Sequence, residues 1–223
     1  MRLTYPHMGE AYIAVKSLMD DIGVESVIPA FTTSYTLRLG SSLSPEAVCM
    51  PYKIMLGNYI NSIKAGADTI LITGSCGPCR FGYYGPLQKQ ALWEAGYKDT
   101  DMIILDPPRE GYQKFLEALK KVAGKNSGRI IPSFINAYKV CCELDSMNEL
   151  LYYIRPRAFN KAELRRIMHE FKNDVMAVKG SGQMLELIHD TKNRIRGIDI
   201  DKSFKPLKIG IIGEIYTIIE PFS

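Results

Sequence analysis

The chain has 223 residues, of which 46% are hydrophobic and 23% charged, and its formal net charge is +4. A chain of this length and composition forms one large or two small globular domains and needs no disulfide or metal merely to fold. No long basic block points to nucleic acid, and no apolar run approaches the ~20 residues of a membrane span. Because the N-terminus is too polar for a signal peptide, we expect a cytoplasmic protein.

Short apolar runs alternate with helical patterns through the first half of the chain. Strands are predicted at residues 2–5, 25–28, 69–73 and 101–105, and helices at 11–22, from Pro51 to Gly66, and at roughly 84–94, with a Thr- and Ser-rich loop up to Pro45. The run TILIT at 69–73 is nearly all apolar, as expected for a buried parallel strand. This order predicts an α/β fold in which a Rossmann-like parallel sheet is flanked by helices.

The second half is mostly helical in its periodicity, from about Gly111 to Arg196. After Pro206, KIGIIG predicts a strand followed by a glycine turn, and we expect it to start a second Rossmann-like unit that this chain does not complete, as in a fragment of a longer protein. The expected domains are residues 1–128 with the cysteines, a helical region at 129–205, and an incomplete α/β unit at 206–223.

Three of the five cysteines follow or precede elements of the predicted sheet. Cys76 and Cys79 leave the strand at 69–73 in a CGPC loop, and Cys49 precedes the helix that Pro51 opens. Ligands of parallel sheets bind at the carboxyl ends of the strands, and nearby helix N-termini favour thiolate over thiol. Cys49, Cys76 and Cys79 are therefore candidate ligands of an iron–sulfur cluster.

The glycines of this loop add to the cluster interpretation. Gly74, Gly77 and Gly82 would let backbone N–H groups approach the sulfides of a cluster closely. A 4Fe–4S cluster with three cysteine ligands leaves one iron open to water, to a substrate or to an unusual protein ligand.

Other chemistries remain open for the same residues. CGPC is also the tetrapeptide of thioredoxin-like thiol–disulfide exchange, although Ser75 stands where that fold usually carries Trp, and Cys49 would have no role. A zinc site would need four ligands, and of the three histidines only His7 leaves a strand at the same edge. Unliganded cysteines are a further alternative.

The remaining cysteines, Cys141 and Cys142, lie in an apolar helical stretch, where they point about 100° apart. We expect both to be small buried side chains.

Five segments together resemble a known family. They are PHMG after the first strand, SPEAVCMPYKIMLGN, GADTILITGSCGPCRFGYYG, IRPRAFNKAE and the late KIGIIGEIY. The chain resembles, over essentially its whole length, the proteins related to 2-hydroxyacyl-CoA dehydratases and their activases, also described as CoA-substrate-specific enzyme activase-related proteins. The most specific matches are Cys49-x-Pro51-x-Lys53 and the run from Gly77 to Gly82.

The resemblance implies an oxygen-sensitive cluster, either a single 4Fe–4S or a double cubane, on Cys49, Cys76 and Cys79. It further implies a partner ATPase, the activase, that supplies low-potential electrons, and reductive or dehydrating chemistry on CoA thioesters. Lys53 and Arg80 would neutralise the cluster or bind a CoA phosphate, or are simply exposed cations. A homo-oligomer is possible, and the alternatives are a thiol–disulfide oxidoreductase or a non-enzymatic module that binds CoA-type anions.

Overall fold

The computed structural model describes residues 1–74, 79–106 and 112–222. The chain divides into two compact units, and the first is assembled from three separate stretches. Unit 1 comprises Met1–Tyr12, Ile22–Ile130 and Gly213–Ser223, and unit 2 comprises Ile13–Asp21 and Ile131–Ile212.

A three-stranded parallel sheet organises unit 1. Its strands are β1 (Leu3–Thr4), β2 (Thr69–Thr73) and β3 (Asp101–Leu105), in the order β1-β2-β3. Leu3 pairs with Thr69, which in turn pairs with Asp101, so the three strands share one register and one direction. The central strand is buried as far as Ile72. The predicted parallel strands at 2–5, 69–73 and 101–105 are confirmed, although the first is only two residues long.

The predicted strand at 25–28 contributes only one bridge. Ser26 pairs in parallel with Leu3, whose N–H donates to the Glu25 carbonyl at 2.9 Å and whose carbonyl accepts from Val27 at 2.8 Å. Because β1 is so short and Pro29 has no N–H to donate, the pairing has no room to extend. This prediction is therefore right in direction and wrong in length.

The described chain forms six α-helices between residues 11 and 154. They are α1 (Ala11–Ile22), α2 (Ser34–Ser42), α3 (Met50–Lys64), α4 (Tyr84–Glu94), α5 (Tyr112–Ala123) and α6 (Ile130–Ile154), and short 3₁₀ helices span Arg80–Tyr83 and Gly124–Arg129. The predicted helices at 11–22 and 84–94 are confirmed to the residue. The helix after Cys49 is confirmed as well, ending at Lys64 just before Gly66.

Helix α2 corrects the expectation of an irregular loop up to Pro45. Its first turn is held by a capping box, in which the Thr33 hydroxyl accepts from the Thr36 N–H at 3.3 Å and Thr36 accepts from the Thr33 N–H at the same distance. Two glycines then let α2 lie against α3 at the level of the backbone. A Cβ at Gly40 would overlap the Lys53 carbonyl oxygen, and one at Gly57 would overlap that of Thr36.

The core of unit 1 lies between α3 and the sheet and is closed by α4 and the C-terminal segment. It is formed by Tyr52, Ile54, Met55, Leu56, Tyr59, Ile60, Ile70, Ile72, Tyr84, Leu92, Met102 and Tyr216. Cys49 and Phe81 pack against this cluster from its partly exposed side. The core thus contains four tyrosines, whose hydroxyls need partners in an apolar interior.

Unit 2 is helical, as the sequence predicts up to about residue 200. It contains most of α6, together with α7 (Lys161–Ala177) and α8 (Gly180–Arg196). Asp20 and Asp21 of α1 accept from the N–H groups of Gly180 and Ser181 at 3.0 and 2.9 Å, and so cap the start of α8. Lys192 is buried and donates to Glu143 at 2.8 Å, which ties α8 to α6.

The KIGIIG segment does not join the sheet. Residues 208–212 form neither helix nor strand, and their three isoleucines, at 209, 211 and 212, are at least 76% exposed. The chain then returns to unit 1 through α9 (Ile215–Ile219), which buries Tyr216 in the core. No strand of the described chain pairs with the predicted one, and the residues after it pack into the cysteine-bearing unit. Among the described residues, no helix has the length and apolar character needed to cross a membrane.

We predict that Gly40→Ala destabilises the protein by roughly 1–3 kcal/mol, because the new methyl group meets a backbone carbonyl that cannot rotate away. Gly182→Ala in α8 is the matched control, since a Cβ there meets nothing within 4 Å, and it should stabilise by about 0.5–1 kcal/mol. Urea unfolding of both variants measures the two changes. Equal effects would contradict the close packing of α2 on α3.

Candidate thiol site at the carboxyl edge of the sheet

Cys49 is the N-cap residue of α3. Its backbone is extended, with φ −60° and ψ 148°, and its side chain makes no capping hydrogen bond. Pro51 occupies the first turn, where a missing N–H costs nothing. The side chain is half-buried and packs against the core of unit 1, and its sulfur makes no hydrogen bond to the helix end.

Cys79 lies at the other approach to the site. It is the N-cap of the 3₁₀ turn Arg80–Tyr83, its carbonyl accepts from the Gly82 N–H at 3.3 Å, and its thiol is exposed and free. The 3₁₀ turn continues directly into α4, which begins at Tyr84. Gly85 seats this helix against the sheet, because a Cβ there would meet the Ile104 side chain at 2.8 Å.

Tyr84 lies between the segments that carry the two cysteines. It is 3% exposed, and its ring meets Tyr52 edge-on at 5.2 Å and Phe81 at a tilt at 5.3 Å between centroids. Burial raises the pKa of Tyr84 well above its usual range, and interactions with Cys49 and Cys79 act in the same direction. Its ring thus packs on Tyr52, three residues after Cys49, and on Phe81, two residues after Cys79.

Part of the predicted site lies in a segment that the structure does not describe. Cys76 and Gly77, with Ser75 and Pro78, lie outside the described residues. Within the described ranges, no group of three or more His, Cys, Asp or Glu side chains has the arrangement of a metal site. Cys49 and Cys79 lie at the starts of two helical elements of unit 1, and Cys76 belongs to the part that is not described.

Lys53 and Arg80 lie beside these cysteines with different surroundings. Lys53 is half-buried one turn into α3, and its Nζ donates back to the Glu46 carbonyl at 3.0 Å. Arg80 is exposed, makes no ion pair with a described carboxylate, and its positive charge acts to lower the pKa of Tyr84, against the other effects. A cation that pairs with no described carboxylate is thus exposed here.

A buried histidine–carboxylate pair follows β1 at the same edge. His7 is 1% exposed, its Nδ1 lies 3.2 Å from Glu220 Oε2, and its ring stacks on Tyr12 at 4.8 Å. The same carboxylate oxygen accepts from the Gly9 N–H at 3.1 Å. His7 Nε2 has no hydrogen-bond partner in the described part of unit 1. The sequence places His7 at this edge but gives no sign of its partner, which lies 213 residues away.

Two further tyrosines extend the buried polar groups around Tyr84. The hydroxyls of Tyr59 and Tyr216 are buried and lack hydrogen-bond partners among the described residues. Burial raises the pKa of Tyr216, as do the charges of Glu220, Glu214 and Tyr84. Sequence reasoning missed all three tyrosines; for Tyr84 a signal existed, since it stands five residues after Cys79 in the glycine-rich segment.

Cys141 and Cys142 do not belong to this site. Both lie on α6 in unit 2, where Cys142 is exposed and Cys141 half-buried. The expectation that both are small buried side chains is wrong for Cys142, because the apolar run around it in the sequence covers more of the helix than the unit buries. Phe134 and Ile135, its apolar neighbours in that run, are themselves 63% and 51% exposed.

Comparisons with known proteins leave the family resemblance without independent support: no protein-family model matches the chain, and no curated protein matches it.

We predict that Glu220→Gln destabilises unit 1 in a pH-dependent way. Burial alone would raise the pKa of Glu220, but the hydrogen bonds from His7 and Gly9 outweigh it, so the pKa lies below the ordinary 4.5. A lowered carboxyl pKa stabilises the folded state above that value and loses this contribution as the pH falls through the folded pKa. The variant should therefore lose about 1–3 kcal/mol at pH 7 and much less near pH 4.

Urea unfolding at both pH values measures the difference, with the exposed Glu186→Gln as control. A loss that is the same at pH 4 and pH 7 would contradict a paired, ionised Glu220.

We also predict that Cys49 and Cys79 can be bridged. In a variant with Cys76→Ser, Cys141→Ser and Cys142→Ser, a bifunctional thiol reagent that fluoresces only after both arms react should give a bridged product. Adding Cys79→Ser removes the second thiol and is the control. Fluorescence no higher than in the control would show that the two thiols do not lie close together.

Proposed function

We propose that unit 1 holds an iron–sulfur cluster on Cys49, Cys76 and Cys79, and that the protein takes part in low-potential electron transfer or in reductive or dehydrating chemistry on CoA thioesters. The observation that carries the proposal is that Cys49 and Cys79 are the N-cap residues of two helical elements of unit 1, with the Tyr84 ring packed between their segments. The two thiols come from different loops and are 30 residues apart in the chain, and a cluster recruits its ligands in this way.

The two described cysteines fit the role of thiolate ligands. Both are free, and both are N-cap residues whose side chains make no capping hydrogen bond, so their sulfur lone pairs are not engaged by the helix end. Cys49 approaches from the half-buried side of the core and Cys79 from the solvent side. Bound there, a cluster supplies one-electron chemistry at a potential set by its charge, its hydrogen bonds and its solvent exposure.

The cations beside the thiols support an anionic ligand. Lys53 keeps its ammonium near the start of α3 through its bond to Glu46, and Arg80 offers an exposed guanidinium that pairs with no described carboxylate. Together they offset the negative charge that several thiolates and sulfides bring into a partly buried site. Arg80 is the better candidate for a CoA phosphate, because its planar fork binds two phosphate oxygens at once.

The proposed partners follow from the family resemblance. They are an ATP-dependent activase that supplies electrons, a CoA thioester as substrate, and a second copy of the chain in a homo-oligomer, all in the cytoplasm. The exposed Cys79 side of the site is where such an electron donor or substrate would approach.

We predict that anaerobically reconstituted protein contains iron and sulfide in near-equal amounts. Cys49→Ala, Cys76→Ala and Cys79→Ala should each lose most of the bound iron, whereas Cys142→Ala, which removes an exposed thiol of unit 2, should retain it. Iron and sulfide analysis with EPR measures both. Iron content that is unchanged in all three site variants would refute the proposal.

The other candidate functions give different results in the same variants. A thiol–disulfide oxidoreductase would reduce insulin, keep that activity in Cys49→Ser and lose it in Cys76→Ser. An anion-binding module would bind CoA thioesters without iron and lose affinity on Lys53→Ala or Arg80→Ala. Neither result is expected if the cysteines act together as ligands.

A further inference from the structure

The carboxylate of Glu220 lies against two hydrogen-bond donors of the loop between β1 and α1. Its Oε2 accepts from the Gly9 N–H at 3.1 Å and lies 3.2 Å from His7 Nδ1. Because an ionised carboxylate only accepts, the hydrogen between these two side chains is on Nδ1. His7 is 1% exposed and Glu220 3%, so both donors and the carboxylate are shielded from water.

We propose that His7 Nδ1 and the Gly9 N–H form a binding site for a ligand that carries a carboxylate, and that Glu220 occupies this site as an internal competitor, which the ligand displaces. The site follows β1 at the edge where parallel sheets bind ligands, and it precedes a helix, whose start favours anions. The inference goes beyond the proposed cluster, since no cysteine takes part in it.

The two donors favour a negative charge. Burial by itself would raise the pKa of Glu220, yet the bonds from His7 and Gly9 bring that pKa below its ordinary value. The loop that presents the Gly9 N–H is strained, because Met8, with φ 29°, has a backbone conformation that side chains rarely adopt. Strain of this kind is typical of ligand-binding loops.

Glu220 satisfies the buried groups around it only in part. His7 Nε2 has no hydrogen-bond partner among the described residues, and neither has the hydroxyl of Tyr216, which the same C-terminal segment buries. A buried polar atom without a partner costs free energy. A ligand whose second polar group reaches Nε2 would therefore satisfy the imidazole better than Glu220 does.

Glu220 belongs to a short segment that covers the site. It follows α9, which has five residues. The segment lies so close to the loop that a Cβ on Gly9 would meet the Ile219 carbonyl oxygen at 2.5 Å. The Gly9 N–H is therefore open to a ligand only when this segment moves away.

His7 is held in place without the C-terminal segment. Its ring stacks on Tyr12 at 4.8 Å and meets Phe31 edge-on at 5.2 Å between centroids. Neither aromatic residue belongs to the C-terminal segment, so the imidazole donor stays in position when Glu220 leaves. The site is thus preformed for a second carboxylate.

The experiment empties the site and refills it. Glu220→Ala removes the internal carboxylate, and urea unfolding at pH 7 compares acetate with chloride at equal ionic strength. For a dissociation constant of about 10 mM, acetate at about 100 mM raises the folding equilibrium constant of the variant about tenfold. Acetamide, which has the shape of acetate without its charge, should leave it unchanged.

Glu214→Ala is the matched control. It removes an exposed carboxylate of the same segment, one that accepts from the Thr217 N–H at 3.0 Å and so caps α9, but it leaves the site occupied. Acetate should stabilise neither this control nor the double variant Glu220→Ala/His7→Phe. The absence of rescue in Glu220→Ala, or an equal rescue in the control, the double variant or the wild type, overturns the inference.

A measurement on the wild type tests the displacement itself and does not require that Glu220→Ala folds. The Glu220 N–H donates to the Tyr216 carbonyl at 2.9 Å, so it exchanges slowly with solvent while the segment is in place. Because acetate binds only when the segment is open, about 100 mM acetate should speed this exchange about tenfold relative to chloride and leave the β2 amides unchanged. Equal exchange in both salts overturns the inference. Neither test involves iron, so this inference and the proposed function fail separately.

Discussion

The pairing of β2 with a parallel strand on each side is the constraint on which unit 1 depends. Thr69 is in register with Leu3 on one side and with Asp101 on the other, so all three strands end at the same edge. The segments that follow them carry His7, Gly74 and Asp106, which are far apart in the sequence. Gly74 shows how closely they meet: its N–H donates to the Leu105 carbonyl at 2.8 Å, and a Cβ there would meet the Asp106 side chain at 3.2 Å.

The candidate site also includes a sulfur that does not follow a strand, that of Cys49 at the start of α3. The helix is held on one side by the backbone contacts at Gly40 and Gly57 and on the other by the apolar core. Its first residues cannot shift independently of these contacts, so packing one to two turns further along the helix sets the position of Cys49.

The sequence predicted the regular elements well where hydrophobic period and turn residues agreed. The strand at 69–73 and the helix at 84–94 are predicted to the residue, because Gly66 before the strand and the glycines after it mark where regular structure stops and starts. Helix α2 was missed because the third residue of its capping box is Thr36, at a position that usually carries Glu or Gln. Its stability also comes from the glycine contacts with α3, which the sequence does not report. KIGIIG was misread because β-propensity describes what a segment would do beside a partner strand, and none is present among the described residues.

The sequence singles out the cysteines of the candidate site but not their surroundings. It predicts that Cys49 and Cys79 precede helices, and both are N-cap residues in the structure. The contacts of Tyr84 with Tyr52 and Phe81 depend on side-chain packing, which no spacing rule reports. The same holds for Glu220, which is brought back to His7 only because the C-terminal stretch returns to unit 1.

The segment from Leu207 to Ile212 has a consequence for the behaviour of the protein in solution. Its four large apolar side chains are 76–100% exposed, and Lys208 is the only charge among them. A short β-prone run of this kind, in which one lysine is the only charge that opposes pairing, offers a second molecule a strand to pair with while the rest of the chain remains folded. Colloidal stability at high concentration should therefore be governed by these six residues rather than by the free energy of unfolding, and a second charge placed among them is the change that would keep the native protein dispersed.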